Sequence, residues 1–185
     1  MDATTRRRCG WLVALAVGLG WMVPSPVLAK EKVTLPAMVT EAINAAFPGA
    51  RVTEAEWERD RGVMTYEVEF MLAGQEFEVV VNEAGLIGKV SRELALADVP
   101  AVVRTTCEER FPGGKIREVE QQEIRAVCLF GTYALLKEPV VIHEVEIRKA
   151  DGRKAEVVVD AKGKIQRQQT DDDDGDEDDE DDGDE

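Results

Sequence analysis

The sequence predicts an α+β protein: two tandem units, each a helix packed on an antiparallel sheet of up to four strands, followed by a disordered acidic tail. Three observations carry this. "LPAMVTEAINAAFPGARV" is echoed by "VPAVVRTTCEERFPGGKI"; "YEVEF" at Tyr66 is echoed by "HEVEI" at His143; and "EVVVNEAGLIGKV" at Glu78 is echoed by "EVVVDAKGKIQRQ" at Glu156. Matching stretches in the same order imply two copies of one supersecondary unit.

Taken from the N-terminus, Arg6–Arg8 precede an apolar run from Trp11 to Val23, then Pro24, Pro26 and small residues up to Ala29. That is the layout of a secretory signal peptide over residues 1–29, with cleavage between Ala29 and Lys30. An uncleaved anchor is the alternative. About 20 Å of helix falls short of a bilayer core of roughly 30 Å, and the two prolines cut the run. The protein is expected to be secreted or periplasmic, with no membrane association once the leader is gone.

The first unit spans 30–97. Leu35, Met38, Val39, Ala42, Ile43 and Ala46 recur at three- and four-residue steps, one apolar stripe of a helix. Thr34 stands where an N-cap belongs, and Pro36 falls in the first turn. Phe47-Pro48-Gly49 stops the helix, since proline cannot continue it and glycine turns freely. Alternation then takes over. Thr53, Ala55 and Trp57 oppose Glu54, Glu56 and Glu58; Met64, Tyr66, Val68 and Phe70 oppose Thr65, Glu67 and Glu69. Turns at Ala73-Gly74 and Asn82-to-Gly85 separate the remaining strands.

The second unit, 98–170, repeats this with Asp98 at the N-cap position, Pro100 in the first turn and Phe111-Pro112-Gly113 at the helix end. His143, Val145 and Ile147 alternate with Glu144 and Glu146. This unit carries an insertion near "AVCLFGTYALLKE", Ala126–Glu138, rich in apolar residues including Leu129, Phe130 and Tyr133. It extends the core or forms an exposed aromatic lip. Cys107 on the helix and Cys128 in the insertion are an even pair in an exported chain, so they form a disulfide or stay as two buried thiols.

Residues 171–185, "DDDDGDEDDEDDGDE", hold thirteen acidic residues in fifteen and no apolar one. Charges this close repel and leave nothing to bury, which predicts a disordered segment. Its carboxylates are a solubilising tail, a diffuse weak Ca²⁺ or other divalent-cation site, or an attractor of basic surfaces. The spacing fits no EF-hand, because Thr170 stands where the first ligand belongs. Between Lys30 and Thr170 there are 20 basic and 24 acidic residues, which argues against nucleic acid as a partner.

No residues announce a reaction. His143 is the only histidine, and a hydrolase needs a base beside a nucleophile or a metal with several nitrogen or sulfur ligands. No catalytic residue, cofactor or resident metal is expected.

"FPGARVTEAEWE", "YEVEF", "EVVVNEAGLI" and "AEVVVDAKGKI" resemble the PepSY-like family, also described as beta-lactamase-inhibitor-like, across nearly all of Lys30–Gln166 in two copies. The resemblance implies a helix on an antiparallel sheet, no catalytic residues, and a protein that restrains peptidases or offers a concave sheet to an enzyme outside the cytoplasm. His143 departs from the family's strand tyrosine, and the acidic tail has no family counterpart. The expected function is thus an exported, non-catalytic binding module for an unknown extracytoplasmic protein such as a peptidase. Its candidate surface is Glu67, Glu69, Glu144 and Glu146 with Leu129, Phe130 and Tyr133; the alternative is a cation-responsive tail.

Overall fold

The computed structural model describes residues 33–60 and 62–170. The expected signal peptide, its cleavage point at Ala29–Lys30 and the expected tail lie outside the described residues. The elements run α1 (Ala37–Ala46), β1 (Arg51–Asp60), β2 (Val63–Leu72), β3 (Gln75–Asn82), β4 (Ile87–Glu93), α2 (Ala101–Arg110), β5 (Lys115–Leu129), β6 (Thr132–Arg148), β7 (Lys154–Asp160) and β8 (Ile165–Thr170).

These strands do not divide into two units. They form one eight-stranded antiparallel sheet in the order β1 to β8, with two helices. This corrects the expectation of two tandem helix-on-sheet units, and the protein is mostly β. The cause is the β4–β5 ladder, which pairs Lys89 with Ile124, Ser91 with Gln122 and Glu93 with Glu120. Backbone hydrogen bonding therefore runs unbroken through the position where a division was expected, and α2 sits in a crossover between two neighbouring strands.

Each helix is ten residues long, too short to be stable alone, so packing must hold it. Val39 and Ile43 of α1 are buried against Val68, Phe70, Val79, Val81 and Val90. Phe70 stacks on Phe77 at 5.6 Å and meets Phe47 at 4.9 Å between ring centroids. Val103 and Cys107 of α2 are buried with Leu94, Val119, Val145, Ile147, Val157 and Val159. Both apolar clusters lie on one face of the sheet. A polar row crosses that face at the seam, where Arg92 Nε donates to Gln121 Oε1 at 3.1 Å and Gln121 Nε2 lies 3.4 Å from His143 Nε2.

Neither helix uses the expected cap. Pro36 and Pro100 are themselves the N-caps, with no side-chain hydrogen bond from Thr34 or Asp98. The first turn of α1 closes on the Pro36 carbonyl, to which Thr40 donates its N–H at 3.0 Å and its hydroxyl at 3.2 Å. The helix ends form as expected, Phe47 N–H donating to Ile43 and Phe111 N–H to Cys107.

Two strand turns pin the helices to the sheet. Asn82 Oδ1 accepts from the N–H groups of Ala84 and Leu86, and Asp160 Oδ1 from those of Lys162 and Lys164. Each such turn holds a glycine in the left-handed region against its helix. A Cβ on Gly85 would come within 2.8 Å of the Met38 carbonyl, and one on Gly163 within 2.6 Å of Val102 Cγ2. Glycine is required at both by conformation and by space.

A candidate interaction surface

The face away from the helices is built by the other parity of every strand. Across β1 and β2, Glu54 pairs with Glu69, Glu56 with Glu67 and Glu58 with Thr65. Glu69 in turn meets Glu78 on β3 and Glu67 meets Val80. Across β5 to β7, Glu118 pairs with Glu146, Glu120 with Glu144, and Glu146 with Glu156. No described element crosses over this side. All four glutamates expected here, Glu67, Glu69, Glu144 and Glu146, stand on it, half-buried. They do not form one cluster: β2 and β6 are four strands apart, on the order of 20 Å at the usual strand spacing.

Cations answer part of this charge. Lys89 Nζ lies 3.0 Å from Glu78, Lys154 Nζ 3.1 Å from Glu146 and 2.8 Å from Glu156, and Arg167 3.5 Å from Glu144. Gln122 Nε2 donates to both Glu120 and Glu144. The β6 side is therefore largely compensated. Burial, then the charge of Glu78 and a hydrogen bond to it, push the Glu67 carboxyl up from 4.5 to about 7. Burial and then Glu93, Glu146 and Glu120 also raise Glu118.

Glu67 has a measurable consequence. With its folded pKa above the unfolded one, the folded state holds the extra proton between pH 4.5 and about 7. Stability from this group is then full below pH 4.5 and is lost as pH rises towards 7. Discounted for the partial exposure of the site, that loss is about 1 kcal/mol. Glu67→Gln is expected to flatten the fall in urea midpoint between pH 5 and 8; equal slopes in both proteins would remove Glu67 from this role.

The residues of the insertion are strand. They lengthen β5 and β6 into a hairpin arm that runs past its neighbours, since β4 reaches β5 only up to Ile124 and β7 reaches β6 only from Ile142. The tip is a two-residue turn with Phe130 and Gly131 both at positive φ. Phe130 is 103% exposed and Leu135 69%, with Leu129 also exposed. Tyr133 does not join them: its ring lies over β4, where a Cβ on Gly88 would stand 2.8 Å from Cε1. The arm thus has an anchored root and an apolar tip.

The expected Cys107–Cys128 disulfide is not formed. Cys107 keeps its thiol inside the α2 core, where burial and then Glu108 push its pKa up to about 11. Val119 belongs to that same core. Cys128 lies nine residues further along β5, about 30 Å at roughly 3.3 Å per residue, whereas bridged cysteines need Cα atoms within about 7 Å. Making the insertion an arm instead of a flap over α2 is what separates them.

His143 is buried at 2% exposure on the helix side of the sheet, between Gln121 and Val159 in the ladder. Burial lowers its pKa and keeps the ring neutral. Among the described residues no three His, Cys, Asp or Glu side chains are placed to hold a metal ion, and no helix is long and apolar enough to cross a membrane.

Residues 36–82, from the start of α1 to the end of β3, match the PepSY family model, "Peptidase propeptide and YPEB domain". The model matches once, so the expected second copy at 98–170 is not supported. Among curated proteins none matches the chain. Among solved structures, the chain is similar to a protein assigned to the periplasm of Bacteroides eggerthii, at 20% identity and TM-score 0.56, covering 75% of this chain and 90% of the other. It is also similar to a DUF2874 family protein from Bacteroides uniformis, at 19% identity and TM-score 0.56 over 74% and 90% of the two chains. A BLIP-like protein from Bacteroides fragilis matches at 19% identity and TM-score 0.52, over 75% and 87%. At these identities the likeness is one of fold.

Proposed function

We propose that this chain is an exported, non-catalytic binding protein that restrains or escorts another extracytoplasmic protein. The observation that carries the reading is the asymmetry of the sheet. One face is filled by two helices, while among the described residues no element covers the other, which carries carboxylates from β1 to β7; the β5–β6 arm ends in exposed Phe130. A wide patch of one charge favours partners of the opposite charge and accelerates their encounter, and an exposed aromatic supplies an anchor. The partner therefore carries a basic docking surface and an apolar recess. The matched family takes its description from peptidase propeptides, which supports a peptidase as that partner. Fold neighbours assigned to the periplasm or called BLIP-like support the location and the mode of action.

The test is capture. The chain from Lys30 onward, immobilised and exposed to the extracytoplasmic fraction of its source cells, is expected to retain one stoichiometric protein of basic isoelectric point at 0.15 M salt. Phe130→Ala should retain less of it, and 0.5 M salt should elute it. A chain that retains nothing at 0.15 M salt is not a binding module of this kind.

A further inference from the structure

The face away from the helices carries a row of cations at one end. At the end of the sheet, Lys115 on β5 pairs with Arg148 on β6, and Arg148 with Lys154 on β7. Lys115 and Arg148 are exposed, and Lys154 lies between the Glu146 and Glu156 carboxylates. Arg117 stands beside the row, in the bulge between Ile116 and Glu118. The acidic groups facing it are Glu118, Glu146 and Glu156, one register step inward, and Asp151 in the adjoining turn, which is taken by Arg153 at 2.7 Å.

The last described residue, Thr170, lies one register step from that row. The last β7–β8 pair is Ala155 with Thr170. Ala155 is the chain neighbour of Lys154. Residue 171 is the first of the four consecutive aspartates that open the acidic segment 171–185.

We propose that segment 171–185 docks on the Lys115–Arg148–Lys154 row of its own chain. Fifteen residues reach up to about 50 Å when extended, whereas three neighbouring strands span about 10 Å, so reach is ample. Tethering at Thr170 makes the encounter intramolecular, with an effective concentration in the millimolar range. Single exposed ion pairs contribute little, but several carboxylates lie within a Debye length of the row at once, and the contact is correspondingly salt-sensitive. Covering the row with the chain's own aspartates extends the acidic surface offered to a basic partner.

The experiment needs no partner, so its result is independent of the binding reading. Amide resonances of ¹⁵N-labelled Lys30–Glu185 are compared with those of the same chain in which every Asp and Glu of 171–185 is replaced by Asn or Gln. At 20 mM salt the amides of Lys115, Arg148 and Lys154 are expected to differ between the two, and to converge at 500 mM. Lys115→Glu with Arg148→Glu, both exposed, should abolish the difference without disturbing amides elsewhere. The proposal is overturned if the two chains agree on β5–β7 at 20 mM, if the difference falls on another surface, or if it grows with protein concentration, which would mean a second copy's tail.

Discussion

Ile147→Ala on β6 is expected to lower the urea midpoint reported by Trp57, which lies on β1 five strands away. In a chain beginning at Lys30, Trp57 is the only tryptophan, and at 58% exposure its emission responds to the order of β1 and β2. Ile147 is 2% exposed and packs with Val103, Val119 and Val157 under α2. Removing it leaves a cavity and costs about 2–5 kcal/mol. If the sheet unfolds as one cooperative body, that loss appears undiminished at Trp57 and at the far-ultraviolet backbone signal together. Phe70→Ala, in the other apolar cluster, removes a ring that touches Phe47 and Phe77 and should cost about 3–5 kcal/mol. Both variants are expected to give one transition. A Trp57 midpoint unmoved by Ile147→Ala would mean that the β4–β5 ladder does not couple the two halves.

That experiment bears on the one architectural feature that sequence reasoning missed. Elements themselves were legible. Strand parity put Val68, Phe70, Val145 and Ile147 inward and Glu67, Glu69, Glu144 and Glu146 outward, as observed. Phe-Pro-Gly marked both helix ends, and Asn82 and Asp160 marked turns that do cap their own backbones. Continuity of the sheet was not legible, because the β4–β5 pairing is made by backbone groups and places mixed residues opposite one another: Lys89 with Ile124, Val90 with Glu123. Nothing in residue type distinguishes such a seam from an exposed edge.

The arm was misread for a related reason. An apolar insertion holding a cysteine reads as core material or an exposed lip, and only the register of Ala126 with Leu135 and Cys128 with Tyr133 shows it to be strand. Once the arm is a strand, Cys128 travels away from α2 with it. The candidate surface itself was partly legible. Its glutamates follow from alternation, but neither the distance between the β2 and β6 pairs nor the cationic row of Lys115, Arg148 and Lys154 could be found without the register.

The distance between those pairs makes a sharp prediction about the partner. Glu144 and Glu146 already face Arg167 and Lys154, whereas the charge of Glu78 helps push the Glu67 carboxyl up to about 7. A basic partner that restores the charge of Glu67 gains more there than at the paired Glu144 and Glu146. Glu67→Lys with Glu69→Lys should therefore weaken partner affinity by about 30- to 100-fold, the equivalent of roughly 2–3 kcal/mol, mainly through a slower association rate at low salt. Glu144→Lys with Glu146→Lys should change it by about threefold or less. Stability separates this from simple damage. Like charges across strands are destabilising, and the β2 reversal removes the repulsion between Glu67 and Glu78, so it should hold or raise the urea midpoint at pH 8. The β6 reversal breaks contacts to Arg167 and Lys154 and should lower it. Affinity and stability thus move in opposite order in the two variants, which no general loss of folding can imitate. Equal losses of affinity from both pairs, or none from β2, would place the partner elsewhere on the molecule.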